Sequence, residues 1–325
     1  MIKNILIMGG SYFIGKKIVN LLVDNKYNVY TLNRGTRNEI NEDITKIICD
    51  RNDRRKMKEC LEKYEFDAVI DVCGLNKLQE EILMESLNLD SIKKFVFISS
   101  SAVYDVENNQ YPYKEDTNQG RNSFWGDYGT DKSEAEEFLK KIFIGKEKEL
   151  IILRPPYVYG EDNYVQRESF IFDHIYNDKP ILIPGDGSKY IQFIYTTDLA
   201  EIIIKLLNMN KENISIYNVG NNKPVTSREW IESCGLVVGK KPNIIEYDYK
   251  KYNKSERDFF PFFYYDNVLD VSKINEIYSE ETYFIDGLKN AYEWYCKNKD
   301  KIKFKQIVDK NEKDILCELK GIKDI

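Results

Sequence analysis

Between Ile5 and Leu153, short β-branched runs alternate with stretches whose apolar residues recur at helical spacing, and this alternation leaves few folds open. The pattern predicts strands at 5–8, 28–32, 47–49, 68–72, 95–99 and 150–153, with helices at 15–24, 54–64, 79–87 and 128–141 between them. Runs this apolar suit strands buried on both faces. The expected fold class is therefore α/β, a doubly wound parallel sheet with right-handed crossovers and helices on each side.

The regularity weakens near Gly160, where aromatic and turn residues accumulate, as in PGDGSKY and RDFFPFFYYD. This predicts a first domain over residues 1–160, rejoined by 191–220 through a strand-then-helix segment and a further strand. A smaller second domain is expected over 161–190 and 221–296, and a lysine-rich, solvated helix or loose tail over 297–325. With 325 residues, 42% hydrophobic, the chain can bury a sizeable core in one or two domains. A net charge of -6 gives no general pull toward nucleic acid or anionic lipid, so neither is an expected partner. No run approaches the roughly 20 apolar residues of a membrane span. The six cysteines form no C-x-x-C pair, which suits free thiols in a cytoplasmic protein. His174 is the only histidine, which rules out a multi-histidine zinc site; no metal is expected, and an ordinary helix position is expected for His174 itself.

The sequence LIMGGSYFIGKKIV places Gly9, Gly10 and Gly15 where the first strand turns into the first helix. Glycine allows a tight turn and lets a phosphate approach without a Cβ in the way, while the helix N-terminus supplies unpaired N–H donors. A dinucleotide-binding loop over Gly9, Gly10, Ser11, Tyr12, Phe13, Ile14 and Gly15 is expected.

With this loop the chain resembles the extended short-chain dehydrogenases/reductases, the NAD-dependent epimerase/dehydratase family, over nearly its whole length to about Tyr295. The resemblance implies a Rossmann-type sheet, a smaller C-terminal substrate domain and bound NAD(P). The family loop reads G-G-x-G-F-I-G; here Tyr12 replaces the middle glycine, and its Cβ is expected to lift or reshape the loop. At the end of the second strand, Asn33 and Arg34 stand where the family places a ribose-binding acid. Loss of that carboxylate and gain of a guanidinium favour NADP over NAD. The segment CDRND matches the family's adenine segment, with Asp50 the expected contact and Arg51 beside it.

Tyr-x-x-x-Lys occurs four times, and only Tyr128/Lys132 follows a serine-ended strand and opens a helix. Spacing of four puts both side chains on one helix face. A phenol of pKa about 10 must lose about three units to act near neutrality, about 4 kcal/mol of phenolate stabilisation. The resemblance assigns Tyr128 as the proton carrier, Lys132 as its electrostatic partner and a ribose contact, and Ser100 as the hydroxyl bridging Tyr128 to substrate. Sugar 4,6-dehydratases carry Asp-Glu after this serine; here Ser101 and Ala102 stand there, which disfavours dehydration.

Three departures fall in the substrate half. Tyr157, Ile191 and Phe260 replace an asparagine and two arginines that hold the diphosphate in nucleotide-sugar members. Arg228 or Arg257 could compensate, and Ser101 and Gln192 are further candidate substrate contacts. The expected function is hydride transfer at a secondary alcohol or ketone of a sugar or sugar derivative, with epimerisation leading and NADPH-dependent carbonyl reduction as the alternative. The expected partner is a small-molecule substrate, and a homodimer is compatible with the resemblance. The Tyr12 loop followed by N-R-G also resembles chloroplast stem-loop RNA-binding relatives on this fold, a non-catalytic alternative.

Overall fold

A computed structural model describes residues 2–37, 43–210, 212–302 and 304–319. The chain divides into two compact units, each assembled from separate segments: Met1–Val158, Phe193–Asn222 and Val268–Glu281 in the first, Tyr159–Gln192, Lys223–Asn267 and Thr282–Ile325 in the second.

The first unit is built on strands β1 (Asn4–Met8), β2 (Asn28–Asn33), β3 (Thr45–Ile48), β4 (Ala68–Asp71), β5 (Lys94–Ile98) and β6 (Glu149–Arg154), completed by the strand Ile214–Asn218. Their order is β3-β2-β1-β4-β5-β6 followed by Ile214–Asn218, and all pairings are parallel. The order reverses between β1 and β4, so the crevice beyond their carboxyl ends is the place where this topology accepts a ligand. The side-chain period of two divides the strands between two cores. Ile5, Ile7, Ile70 and Val96 pack with α1 (Phe13–Asp24) and the helix Thr196–Asn208 on one face. Leu6, Met8, Val69 and Phe95 pack with α2 (Arg54–Leu61), α3 (Lys77–Ser86) and α4 (Asp127–Phe143) on the other. Each fully buried leucine or isoleucine stabilises the fold by about 1.5–3 kcal/mol, which makes the sheet a rigid base for its loops. Asp53 caps α2 by accepting from the Lys56 N–H, and Asn76 caps α3 through the Gln79 N–H.

The segment Val268–Glu281 falls in the first unit, because Leu269, Val271, Ile274 and Tyr278 join the α1-side core. Sequence patterning alone assigns it to the substrate domain.

In the second unit, α5 (Glu168–Tyr176) and the strand Pro180–Pro184, paired in parallel with Asn243–Tyr247, carry an aromatic core. Trp230 is fully buried, with Phe262 edge-on at 4.7 Å and Phe260 at 6.4 Å between centroids. The lysine-rich end forms the helix Gln306–Leu319, whose Ile315 is buried. His174 Nδ1 donates to the Phe170 carbonyl, and its Nε2 lies 3.2 Å from Glu312 Oε2 on that helix. The sole histidine thus seats a segment that charge patterning reads as solvated.

Candidate active site

A cavity of about 600 Å³ opens at the carboxyl ends of β1, β2 and β4. Gly9, Ser11, Tyr12, Asn33, Arg34, Asp50 and Arg51 line it, together with Thr36, Arg37 and Cys73. Gly10, Phe13, Ile14 and Gly15 lie behind the lining. Gly9 has φ +89, and a Cβ on Gly15 would stand 2.3 Å from the Gly9 carbonyl oxygen. Only glycine at position 15 lets α1 start this close to the turn, which is what delivers its first N–H groups to the cavity.

Tyr12 directly precedes the first residue of α1. Its backbone is extended, φ -150 and ψ 141, a region open to any residue, and the left-handed conformation falls on Phe13 instead, at φ 41. Phe13 is buried in the core. The Tyr12 ring lies under Arg37, whose guanidinium carbon is 4.3 Å from the ring centroid. Arg37 escapes sequence reasoning; its only signal is a second arginine in NRGTR. Asn33 Oδ1 accepts from the Gly35 N–H at 2.8 Å, an Asx turn that shapes the loop carrying Arg34.

Asp50 faces the cavity, where its Oδ1 accepts from the Asn52 main-chain and side-chain N–H groups. Arg51 lines the cavity beside Asp50. Its guanidinium is buried and bound to Asp71 through two hydrogen bonds of 2.9 and 2.8 Å, to Glu80 at 3.1 Å and to Cys73 Sγ at 3.1 Å. Burial works against the Arg51 charge, but the adjacent Asp71 outweighs it and holds the guanidinium firmly protonated. Burial would raise Asp71, and Arg51 reverses this and keeps it ionised. Burial and then the Asp71 charge push Glu80 well above the carboxylate range, and Arg51 works against both. Burial lifts the Cys73 thiol to about 11, which leaves it protonated beside the cavity.

Lys132 is 3% exposed, and its Nζ donates to the carbonyls of Gly74 at 2.5 Å and Ile98 at 2.7 Å. It is therefore fixed between the ends of β4 and β5, directly behind the Cys73–Leu75 wall. An ammonium has three donors, so these two bonds leave one N–H. Tyr128 stands one helical turn earlier, 38% exposed, with its ring 5.7 Å from Trp125. Trp125 in turn lies 5.9 Å from Tyr157, and Tyr157 6.2 Å from Phe193, an aromatic row beside the phenol. Trp125, three residues before Tyr128, has no spacing signal in the sequence.

Ser100 caps the short 3-10 turn Ser101–Val103 by accepting from the Ala102 N–H at 3.1 Å. That turn meets the start of α4 at Gly129, where an added Cβ would stand 2.2 Å from the Ala102 carbonyl oxygen. The absent side chain at 129 is what brings the Tyr128 turn against the serine turn. Ser99 bonds Glu136 at 2.5 Å, within a buried network in which Arg154 also holds Glu136. Ser101 is 2% exposed and its N–H donates to the Pro155 carbonyl, so it is part of the turn's framework and does not face solvent.

In the second unit, Arg228 donates to the Asp186 carbonyl and pairs with Glu246. The Arg257 guanidinium sits 5.2 Å from the Phe263 ring centroid. Gln192 is 1% exposed, and its N–H donates to the Asn267 carbonyl. Ile191 and Phe260 are buried core residues of this unit.

The sequence matches the NAD dependent epimerase/dehydratase family over residues 5–220. It is 27% identical over 308 residues to the chloroplast stem-loop binding protein of 41 kDa b from Arabidopsis thaliana, covering 89% of this chain and 78% of that one. It is also 27% identical over 323 residues to a putative UDP-glucose 4-epimerase of Methanocaldococcus jannaschii, covering 90% and 99%. Among solved structures, the UDP-glucose 4-epimerase of Thermotoga maritima, crystallised with UDP-glucose, superimposes with a TM-score of 0.78 at 19% identity, covering 91% of this chain and 99% of that one.

Proposed function

The chain belongs to the NAD-dependent epimerase/dehydratase family, and we propose that it is an NAD(P)-dependent enzyme transferring hydride at a secondary alcohol or ketone of a sugar or sugar derivative, with epimerisation the leading reaction. The observation that carries this reading is the buried Lys132 side chain, held by the Gly74 and Ile98 carbonyls one helical turn from the exposed Tyr128.

The residues present fit a nicotinamide dinucleotide. The Gly9–Gly15 cradle has no room for a Cβ at 15, the cavity runs past the β2 end, and Lys132, behind the Cys73–Leu75 wall, would hold a ribose hydroxyl. When bound, that group accepts or returns hydride. Tyr128 Oη takes the proton from the substrate hydroxyl and gives it back in the reverse direction. The Ser100 hydroxyl bridges the substrate oxygen and the phenol. Lys132 lies on the same helix face one turn on, and Trp125 packs beside the ring and limits the access of water to it.

Arg34 and Arg37 both line the cavity, and position 33 carries no acid to repel a 2′-phosphate; these residues support NADP as the preferred cofactor. The net charge of -6 supports a small-molecule ligand over RNA. Six free thiols support a cytoplasmic location.

Mass spectrometry of the nucleotide carried by the purified protein, followed by fluorescence titration with NADPH and NADH, tests the reading. Arg34→Ala is expected to weaken NADPH much more than NADH. Equal weakening would make Arg34 an ordinary turn residue, and a chain that takes up neither dinucleotide would refute the enzymatic reading. Light scattering on the same sample tests the homodimer that the family resemblance allows.

A further inference from the structure

Three buried ionisable side chains, Arg51, Asp71 and Glu80, have no part in the chemistry above, although Arg51 lines the cavity. They come from three separate segments: the turn after β3, the last residue of β4 and the first turn of α3. Asp71 serves two groups at once. Its carboxylate accepts both guanidinium nitrogens of Arg51, and its Oδ1 also accepts the N–H groups of Cys73 at 2.9 Å and Gly74 at 2.8 Å. Asp71 thereby sets the path of the Cys73–Gly74 turn. The Gly74 carbonyl that emerges from this turn receives Lys132 Nζ. Glu80 closes the unit from behind: a Cβ on Gly74 would stand 2.1 Å from Glu80 Oε1 and 3.0 Å from Asp71 Oδ2. The turn is thus clasped between two carboxyl groups that one guanidinium holds together.

Resting on the functional reading above, we infer that Arg51 is a positioning residue for Lys132, acting through Asp71 and the Gly74 carbonyl, and does not touch the cofactor itself. The adenine-side loop and the catalytic ammonium are joined by one continuous set of hydrogen bonds of 2.5 to 2.9 Å along the path Arg51–Asp71–Gly74–Lys132. Lysine could supply the charge at position 51 but not the planar two-point grip on Asp71, so Arg51→Lys loosens the turn while preserving the charge balance.

The test separates action through Lys132 from direct contact. Calorimetric titrations of the full chain with NADPH, and with the adenine halves ADP and 2′,5′-ADP, are made on wild type, Arg51→Lys, Lys132→Ala and the double variant. We expect Arg51→Lys to weaken NADPH about tenfold, to leave the adenine halves within about twofold, and to add little once Lys132 is alanine, because coupled residues are non-additive. Equal loss for NADPH and the adenine halves would make Arg51 a direct contact. An undiminished NADPH penalty in the Lys132→Ala background would likewise overturn the inference. If Arg51→Lys does not fold, Asp71→Asn gives the same pattern, judged by the same criteria. Wild type that binds none of the ligands overturns the functional reading and this inference together, whereas wild-type binding with additive losses overturns this inference alone.

Discussion

Replacing Gly129 by alanine sets two well-defined effects against each other. Gly129 lies inside α4, where helix propensity favours alanine by about 1 kcal/mol. Its new Cβ, however, would stand 2.2 Å from the Ala102 carbonyl oxygen and 3.1 Å from the carbonyl carbon. Relief to ordinary contact requires the two backbones to part by about 1 Å. The obstacle is main chain and cannot rotate aside, so the cost belongs near the upper end of the about 1–3 kcal/mol of overpacking. The net destabilisation is then about 2 kcal/mol, and for a unit of about 200 residues this lowers the melting temperature by about 4–8 °C. The same displacement separates Tyr128 from the Ser100 turn, and a 1 Å error at a proton-transfer site costs about 100-fold in turnover. Thermal unfolding followed by circular dichroism reads the first effect, and single-turnover kinetics the second. A melting temperature that rises, as propensity alone requires, with turnover retained would refute the view that the missing Cβ assembles the site.

Three other perturbations have defined outcomes. Tyr128→Phe is expected to abolish turnover while NADPH titration stays within about twofold of wild type, because only the proton carrier is removed; wild-type turnover would take Tyr128 out of the mechanism. UDP is expected to bind weakly in calorimetry with cofactor present, since Tyr157, Ile191 and Phe260, which the family resemblance aligns with diphosphate contacts, are each buried; micromolar affinity lost on Arg257→Ala would restore a nucleotide-linked substrate. Asp67 gives a pH dependence. Burial alone would raise it, but the Asn4 N–H, Lys93 Nζ and the Lys3 N–H hold it down at about 2 against an ordinary 3.8, so its contribution is present above pH 3.8 and is lost as pH falls through about 2. The melting-temperature gap between wild type and Asp67→Asn should close between pH 6 and pH 2, and a constant gap would refute this.

Strands such as β5, buried at every position and apolar from Phe95 to Ile98, announce themselves in the sequence, and their places in the sheet follow from the alternation with helices. β3 is less legible because three of its four residues face solvent. The Tyr128/Lys132 pair stands out from three identical spacings only because a strand ending in serines precedes it. What holds Lys132 is not legible at all: Asp71 and Glu80 lie 20 and 29 residues from Arg51, and only the sheet order brings them together. The C-terminal helix misleads in the opposite direction. Its inward face carries Glu312, a residue that charge patterning assigns to water, because the partner waiting for it is a histidine 138 residues earlier.

The interleaving of the two units has a consequence for how the chain is made. Translation delivers residues at about 5–20 per second from the N-terminus, so the sheet waits for its outermost strand, Ile214–Asn218, and for the Val268–Glu281 segment that completes one of its cores. The second unit waits longer still, because its helix Gln306–Leu319 follows all of these segments in the chain. During that interval the apolar faces of β6 and α1 lack their later partners and are candidates for chaperone capture. Neither unit can be excised as a single continuous stretch, and expression of residues 1–158 alone should give an aggregation-prone fragment in place of a free-standing cofactor-binding domain.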